Sequence, residues 1–448
     1  MNKNEEFTLE CTDLSDQGFG IGHYKGMTVF VSDLLPSESA RVRVIKQAKT
    51  YAIARVEERF VTSPQRVNPK CDAAGRCGGC SLMHLDYAAQ LSWKHKQLAD
   101  LFKGVDENIE VLPPLGMESP YGYRNKAQFP VGIINGKVQG GFYRPRSNTI
   151  VPIGRCEIQD EHINEIYGWL IDHLSLSQAQ SLRHLLIRYS KGTGQGQVVF
   201  IGKENVKLAK LTEQLVEQFP YIQSVVFNEN LRNDNVILGE RYFVLHGSDS
   251  IDEKCLDLTI RLHFKSFFQV NPTMMNVLYS KALEFADLKK DDRVIELYSG
   301  TGTIGLLAAK KAGSVTGVEI VKEAVENAKE NQRINHIENA KFVCMDATDF
   351  AAENQDDADV VFVDPPRKGM SAQGIEDIVR LSPRTLIYIS CNPRTLARDL
   401  KLFGEKGYHA DVIQPVDMFS HTSGMECVAR LRKKTDQPHG AEDERTQN

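Results

Sequence analysis

Hydrophobic and polar residues alternate over short stretches at the start of the chain. The runs ARVRVIK and YAIARVEE place apolar residues at every second position, which is typical of half-buried strands. The glycine-rich stretch QGFGIGHYKG, between two strand-like runs, favours a tight turn. The pattern predicts a small antiparallel β-barrel over residues 1–62.

A different pattern covers residues 264–434. Apolar runs such as RVIELY, SVTGVEI, DVVFVDPP and TLIYISC alternate with helical segments such as TIGLLAAKKA and PRTLARDLKLF. This alternation is the signature of an α/β fold with a mostly parallel, doubly wound sheet. Residues 63–263 mix helix-like and strand-like runs, which predicts a central α+β domain. The polar residues 435–448 are expected to form a disordered tail.

Composition favours an ordinary soluble protein with several domains, because 448 residues contain 41% hydrophobic and 25% charged residues. No apolar run approaches the roughly 18 residues of a membrane helix, and the polar, acidic start MNKNEEFTLE is unlike a signal peptide. We therefore expect a cytoplasmic protein without a membrane partner. Nothing in the sequence implies a protein partner.

Charge gives a weaker indication of nucleic-acid binding. The net charge of -5 argues against a protein that binds nucleic acid over its whole surface. Residues 40–70, however, carry eight Lys or Arg against two Glu. This local excess fits either a patch that binds RNA or a solvated strand face.

The stretch ELYSGTGTIG (296–305) lies between a predicted strand and a predicted helix. Gly300, Gly302 and Gly305 satisfy the GxGxxG pattern, and the helix N-terminus offers free N–H groups to a ligand. Glu319 follows at the end of the next strand, within reach of ribose hydroxyls. Taken literally, the pattern leaves a nicotinamide-dependent oxidoreductase open.

Acidic residues at the same end of the predicted sheet favour another ligand. Glu296 lies near the carboxyl end of its strand, and Asp364 follows the fourth strand in DPPR. Carboxylates here would attract a cation such as the sulfonium of S-adenosylmethionine (SAM). Cys391 also ends a strand, before Asn392 and Pro393, where a thiol is either a buried spectator or a nucleophile.

Nine cysteines are many for a reducing compartment, where stable disulfides are rare. Cys71, Cys77 and Cys80 follow the spacing C-x5-C-x2-C, and Cys156 is the candidate fourth ligand. Such spacing suggests a metal but does not separate zinc from iron–sulfur, and inert thiols are the alternative.

Six motifs occur together in the C-terminal half of the chain: FFQVN (267–271), ELYSGTGTIG, VEI (318–320), VDPPRKG (363–369), ISCNPRTLARDL (389–400) and VDMFSHTSGMECV (416–428). Together they resemble one family, the SAM-dependent RNA uracil-5-methyltransferases. Residues 1–61 resemble the small RNA-binding barrel called TRAM, which many members carry. The resemblance implies a Rossmann-like class I SAM methyltransferase domain, a TRAM/OB-like barrel and a central domain with an iron–sulfur cluster.

The resemblance also implies roles for single residues. Cys391 would be the nucleophile and Glu426 the general base, with His421 as the alternative base. Asp364 would serve both SAM and the uracil. A [4Fe-4S] cluster would be bound by Cys71, Cys77, Cys80 and Cys156. SAM would be held by Gln269, Tyr298, Gly300, Gly302, Glu319, Asp346 and Asp364, with Thr303 as a further lining residue.

The implied reaction explains the need for a thiol, since addition of a thiolate to C6 makes C5 of uracil nucleophilic enough to accept a methyl group. The implied substrate is RNA, with 23S ribosomal RNA as our first expectation and uridine 54 of tRNA as the alternative. A metal-stapled RNA-binding protein without activity is a third reading. A cytosine C5-methylase is disfavoured because Ser390, not proline, precedes Cys391.

Aromatic residues beside arginines in YGYRNKAQFPVG (121–132) and GGFYRPRSN (140–148) suit stacking on unpaired bases, although core packing explains most of them. C5 and C6 of the target must be exposed, so we expect a loop uridine or a flipped base.

Overall fold

The N-terminal residues form a curled six-stranded sheet in the order β1-β5-β6-β4-β3-β2. The structure, a computed structural model, describes residues 1–203, 206–232, 234–353 and 357–433, so the predicted tail lies outside the described residues. The strands are β1 (Glu6–Glu10), β2 (Asp13–Leu14), β3 (Gly20–Tyr24), β4 (Met27–Ser32), β5 (Ser39–Gln47) and β6 (Tyr51–Val61).

The predicted alternation of the barrel strands is confirmed, since Val42 and Val44 of β5 and Ala52 and Ala54 of β6 are fully buried. The prediction of a purely antiparallel barrel is wrong for one pair, because β4 and β6 run parallel. The reason is topological: β5 lies on the far side of β6, so the chain enters β6 in the same direction as β4.

The middle of the chain contains a seven-stranded sheet in the order β10-β9-β8-β11-β12-β13-β14 and a separate β15–β16 hairpin. Helices α2 and α4 contribute to the apolar core of this sheet. The elements are α1 (Tyr87–Lys103), β7 (Glu110–Val111), β8 (Lys126–Ile134), β9 (Lys137–Tyr143), β10 (Ile150–Pro152), α2 (Glu161–His173), α3 (Leu176–Ser181), β11 (Leu182–Ser190), β12 (Gln195–Gly202), α4 (Ala209–Gln218), β13 (Ile222–Glu229), β14 (Tyr242–Gly247), β15 (Ser250–Cys255) and β16 (Leu258–His263).

The C-terminal part forms an eight-stranded sheet in the order β19-β18-β17-β20-β21-β23-β22-β7. Strands β17 to β21 are mutually parallel and β23 is antiparallel, which confirms the predicted doubly wound sheet. The elements are α5 (Pro272–Ala286), β17 (Arg293–Leu297), α6 (Thr303–Ala309), β18 (Ser314–Glu319), α7 (Lys322–Ile334), β19 (Ala340–Cys344), α8 (Ala347–Glu353), β20 (Val360–Val363), α9 (Ala372–Arg380), β21 (Thr385–Ser390), α10 (Pro393–Glu405), β22 (Tyr408–Val416) and β23 (Glu426–Lys433).

Two elements of the middle segment join this C-terminal core. Strand β7 pairs in parallel with β22 at the edge of the eight-stranded sheet. Phe102 of α1 is fully buried in the same apolar cluster as Leu400, Phe403 and Tyr408. Helix α1 thereby lies between the cysteine-rich segment and the sheet that carries Cys391.

No helix in the described ranges is long and apolar enough to cross a membrane.

Candidate active site

The residues that the sequence singles out converge on the carboxyl edge of the C-terminal sheet. Tyr298 follows β17, Glu319 ends β18, Asp364 follows β20 and Cys391 follows β21. Parallel strands end at the same edge, and ligands of doubly wound sheets bind in the crevice there. The structure therefore brings these four side chains to one end of the sheet.

The glycine-rich turn after β17 is tied to the end of β18. Glu319 accepts a hydrogen bond from Gly300 N at 3.0 Å and another from Val321 N at 2.9 Å. Gly300 and Gly302 have φ values of +52° and +76°, which glycine adopts without strain. A Cβ on Gly302 would lie 2.6 Å from the ring of Phe342, so only glycine fits.

Glu296 is buried beneath this turn and bonds to the start of α6. Its carboxylate accepts from Gly305 N at 3.0 Å, and a Cβ on Gly305 would lie only 2.4 Å from the same oxygen. Burial raises the pKa of Glu296 to about 8, so the group is mostly protonated at neutral pH. Glu296 is thus a hydrogen-bonding support for the turn rather than the ready anion that the sequence suggested.

Three further residues assigned to the SAM pocket have local partners. Gln269 is buried just before α5, and its backbone carbonyl accepts from Asn125 Nδ2 at 3.4 Å. Thr303 Oγ1 lies 3.1 Å from Thr301 Oγ1 at the start of α6. Asp346 accepts from the backbone N–H of Thr348 at 2.8 Å, in the first turn of α8.

Glu426 faces Cys391 across two paired strands. Ser390 of β21 pairs with Cys427 of β23 in antiparallel register, so Cys391 and Glu426 are the next residues along each strand. Burial raises the pKa of Glu426 to about 8, and the charge of Asp364 adds to that shift. Burial also raises the pKa of Asp364 to about 7. Two carboxyl groups that ionise near neutral pH therefore accompany the thiol.

The thiol of Cys391 is half-buried, and its pKa is raised by burial and by the charge of Glu426. Addition of Cys391 to C6 requires the thiolate, which a lowered pKa would favour. The N-terminus of α10 beside the thiol is capped by the side chain of Asn392, which accepts from Arg394 N at 3.2 Å. Because its pKa is raised, the thiol is mostly protonated in the resting protein.

Arg367 was not among the residues predicted for the site. Its guanidinium opposes the rise in the pKa of the Cys391 thiol, and its charge also lowers the pKa of Glu426. Its backbone carbonyl accepts from Asn392 Nδ2 at 3.0 Å and from Thr395 Oγ1 at 3.2 Å. The only signal in the sequence was its place in the VDPPRKG motif.

His421, the alternative base, is held differently from Glu426. Its ring packs against Tyr121, with ring centroids 4.6 Å apart, and Nδ1 lies 3.1 Å from Gln90 Nε2. Burial lowers the pKa of His421 to about 4, so the ring is neutral at neutral pH. The structure bonds His421 to the cysteine-rich segment and α1, whereas Glu426 lies opposite Cys391.

An open cleft of about 550 Å³ adjoins Cys391. The barrel contributes Asp16, helix α1 contributes Trp93 and Gln97, and α10 contributes Arg394. An ion pair of 2.7 Å between Arg394 and Asp16 connects α10 to the barrel. All three parts of the chain thus meet beside the thiol.

The four cysteines assigned to a cluster line one cavity of about 130 Å³. Burial raises the pKa of Cys80 to about 12 and that of Cys156 to about 11, with the other thiols adding to the shift. Gly79 N donates to Cys77 Sγ at 3.3 Å. Within the described ranges, no group of three His, Cys, Asp or Glu side chains is arranged to hold a metal ion, so the cluster stays a prediction.

The basic stretch of residues 40–70 is largely neutralised inside the barrel. Five of its eight cations form ion pairs, partly with Glu6, Asp33 and Glu38, which lie outside the stretch. A count along the sequence could not reveal these partners. The paired cations are Arg41, Arg43, Arg55, Arg59 and Arg66.

Comparison with known proteins gives a consistent result over nearly the whole chain. Residues 86–434 match the family model tRNA (Uracil-5-)-methyltransferase, and residues 2–56 match the TRAM domain. An uncharacterized RNA methyltransferase of Oceanobacillus iheyensis is 41% identical, over 97% of this chain and 98% of its own. One of Clostridium tetani is 40% identical, over 96% of each chain.

A solved structure agrees. The crystal structure of Pyrococcus abyssi tRNA (uracil-54, C5)-methyltransferase in complex with S-adenosyl-L-homocysteine is similar with a TM-score of 0.73 and 27% identity, over 95% of this chain and 100% of that one. These matches exclude the two alternatives of a nicotinamide-dependent oxidoreductase and an RNA-binding protein without enzymatic activity. The chain belongs to the RNA uracil-5-methyltransferase family and carries a TRAM domain at its N-terminal end.

Proposed function

We propose that this enzyme transfers the methyl group of SAM to C5 of a specific uridine in 23S ribosomal RNA, through a covalent adduct between Cys391 and C6. The observation that carries the proposal is the register of β21 and β23, which sets Cys391 opposite Glu426. Asp364 and Arg367 act on the ionisation of these two residues. A nucleophile, a base and a cation then share one end of the sheet.

The chemistry proceeds in three steps. The thiol of Cys391 gives its proton to solvent, the thiolate adds to C6, and the electron pair of the C5–C6 double bond moves toward O4. C5 then attacks the methyl carbon of SAM. The bond from the methyl carbon to sulfur breaks, and S-adenosylhomocysteine leaves. Finally Glu426 takes the proton from C5, the C5–C6 double bond forms again and the sulfur leaves C6 as thiolate.

The raised pKa values of Glu426 and Asp364 are consistent with the roles proposed for them. Glu426 must be ionised to act as a base, and the charge of Arg367 favours that form by lowering its pKa. A base with a pKa near the working pH then removes a proton efficiently and releases it again. The sulfonium charge of SAM would favour the ionised form of Asp364 when the methyl donor is present. Arg367 would favour the thiolate of Cys391 and the negative charge that develops on the uracil ring.

The SAM site is proposed at the ends of β17, β18 and β20. Glu319 would bind the ribose hydroxyls while it holds Gly300, and Asp364 would face the sulfonium. The other proposed pocket residues surround the same turn or precede α5. They are Gln269, Tyr298, Gly302, Thr303 and Asp346.

The cysteine cavity is proposed to hold a [4Fe-4S] cluster. Four thiols that line one cavity, and a backbone N–H that points at the sulfur of Cys77, suit such a cluster. When bound, the cluster would cross-link and stabilise the central domain. Methyl transfer needs no redox step from it. Protein purified without oxygen should be brown and contain iron and sulfide. A colourless preparation that contains zinc would contradict the assignment.

The choice of RNA rests on the TRAM domain and the cysteine cavity, which the family resemblance associates with ribosomal substrates. The barrel, α1 and the C-terminal sheet all border the cleft beside Cys391 and could contact RNA together. Uridine 54 of tRNA is the second candidate, since the Pyrococcus abyssi enzyme is a tRNA (uracil-54, C5)-methyltransferase.

Transfer of labelled methyl groups to purified RNA would test the function. We expect 23S rRNA, and not tRNA, to accept label, and Cys391→Ala to lose transfer while still binding SAM. Cys344→Ser is the matched control, because its thiol is exposed and bonds only weakly to Ile320 O. Label in tRNA alone would favour the second candidate, and normal transfer by Cys391→Ala would contradict the mechanism.

A further inference from the structure

The loop between β22 and β23, residues 417–425, is bonded directly to the segment that follows the cysteine cavity. The backbone N–H groups of Ser81 and Leu82 both donate to His421 O, at 3.0 and 2.9 Å. The N–H of Ser423 donates to Ser81 Oγ at 3.2 Å. These three bonds connect positions more than 330 residues apart in the chain.

Gln90 of α1 joins the same two segments through one fully buried amide. Its Nε2 donates to Leu82 O at 3.0 Å and to Leu85 O at 2.7 Å. Its Oε1 accepts from the backbone N–H of His421 at 3.1 Å. Removing the amide would leave backbone groups on both segments buried without a partner.

His421 has a backbone conformation that depends on these bonds. Its φ of +64° lies in the left-handed region, which is uncommon for residues other than glycine. Its ring is tied to the same amide, because Nδ1 lies 3.1 Å from Gln90 Nε2, whereas ring atom Nε2 is buried without a hydrogen-bond partner. Such conformations persist only where the surroundings fix them, and they cluster at active sites.

The loop leads directly to Glu426, the first residue of β23, and its last residues line the cleft beside Cys391. We propose that Gln90 is a positioning residue that holds residues 417–425 so that Glu426 can take the C5 proton from the methylated adduct. The inference rests on the proposed function.

Removal of the proton, rather than addition to C6, is the step that should depend on Gln90. Cys391 is fixed separately, by the end of β21 and by the bond of 3.0 Å between Asn392 and the carbonyl of Arg367. Loosening the loop would therefore leave the nucleophile in place and displace the base. Methylated RNA should then remain attached to the protein.

The test measures how much methylated RNA stays covalently bound under denaturing conditions, after incubation with labelled SAM and total RNA from cells that lack this protein. In Gln90→Leu we expect the ratio of attached to released methylated RNA to rise about tenfold, because buried backbone groups lose their partners. In Ser81→Ala, which removes only the bond from Ser423, we expect a smaller rise of about twofold to threefold.

Two control variants match these changes without touching the loop. Gln197→Leu removes a buried amide that bonds Ser224 and the carbonyl of Asp249 in the middle of the chain. Ser92→Ala removes an exposed hydroxyl that bonds only to Ala88 O within α1. Both should release product as the unchanged enzyme does, and accumulation of adduct in Gln197→Leu would overturn the assignment by showing a general effect of destabilisation.

Glu426→Gln separates failure of the inference from failure of the proposed function. If Glu426→Gln accumulates adduct but Gln90→Leu and Ser81→Ala do not, Gln90 is not a positioning residue. If Glu426→Gln also forms none, the proposed covalent mechanism itself fails. Should Gln90→Leu not fold, Ser81→Ala decides, since its exposed hydroxyl is dispensable for the core.

Discussion

At the scale of single residues, the site holds three acidic side chains whose pKa is raised. Glu296, Asp364 and Glu426 lie at one end of the sheet, and burial raises the pKa of each to between about 7 and about 8. Each acid has its own surroundings: Glu296 supports a backbone turn, whereas Glu426 faces the thiol of Cys391. Perturbed carboxyl groups that converge on a nucleophile are typical of catalytic sites.

These pKa values make a prediction about stability and pH. The pKa of Glu426 rises from 4.5 to about 8 on folding, so the folded protein binds the proton more firmly than the unfolded chain. This contribution to stability is complete below 4.5 and is lost as the pH rises through about 8. Glu426→Gln should therefore gain in free energy of unfolding, relative to the unchanged protein, across that window. Urea unfolding at a series of pH values measures this, and parallel curves would contradict the raised pKa.

The sequence was a good guide to residues that lie in motifs and a poor guide to their partners. Cys391, Asp364 and Glu319 could be placed at strand ends, because apolar runs reveal where buried strands stop. The ionisation of Cys391 could not be predicted, since burial depends on packing that no linear pattern records. Arg367 could not be identified as a neighbour of the thiol for the same reason.

At the scale of elements, helix α1 joins the cysteine-rich segment to the catalytic sheet. Its apolar face could be predicted from the helical period of DYAAQLSWKHKQLADLF. The part of the protein against which α1 packs could not be predicted, because the helical period specifies a buried face but not what covers it. Lys94 of α1 is almost fully buried and donates to Asp417 at 2.5 Å and to the carbonyl of Gly424 at 3.0 Å.

This buried pair gives a prediction about folding. Asp417 also accepts from the hydroxyls of Tyr87 and Ser420, at 2.6 and 2.9 Å. Lys94→Met would leave the carboxylate buried without its cation, so we expect a loss of about 3–5 kcal/mol in the free energy of unfolding. Chemical denaturation measures the loss. Lys96→Met is the control, because Lys96 forms an exposed ion pair with Asp13 and should change stability by less than about 1 kcal/mol.

At the scale of the whole molecule, three regions meet around one cleft. The barrel, helix α1 and the C-terminal region each contribute to the surroundings of Cys391. The order of these regions could be predicted from the change between period-two strands and alternating strands and helices. The pairing of β7 with β22 could not be predicted. Strand β7 has only two residues, lies far from β22 in the chain and has no sequence signal of its own.

The charge of the barrel surface also differs from what a count of Lys and Arg along the sequence indicates. The barrel arginines are paired within the barrel, so their number alone does not make an RNA-binding face. Recognition of RNA by this enzyme should therefore depend on the shape of the shared cleft and on stacking as well as on charge.

The most direct test of the central claim is to trap the RNA on the enzyme with 5-fluorouracil. Cells that express the tagged protein are fed the analogue, and RNA that stays attached under denaturing conditions is sequenced. Fluorine at C5 cannot leave as a proton, so the C6 adduct persists. We predict adducts at a specific uridine of 23S rRNA that disappear in Cys391→Ala. Adducts that persist in Cys391→Ala, or their absence from a protein that binds SAM, would contradict the covalent mechanism.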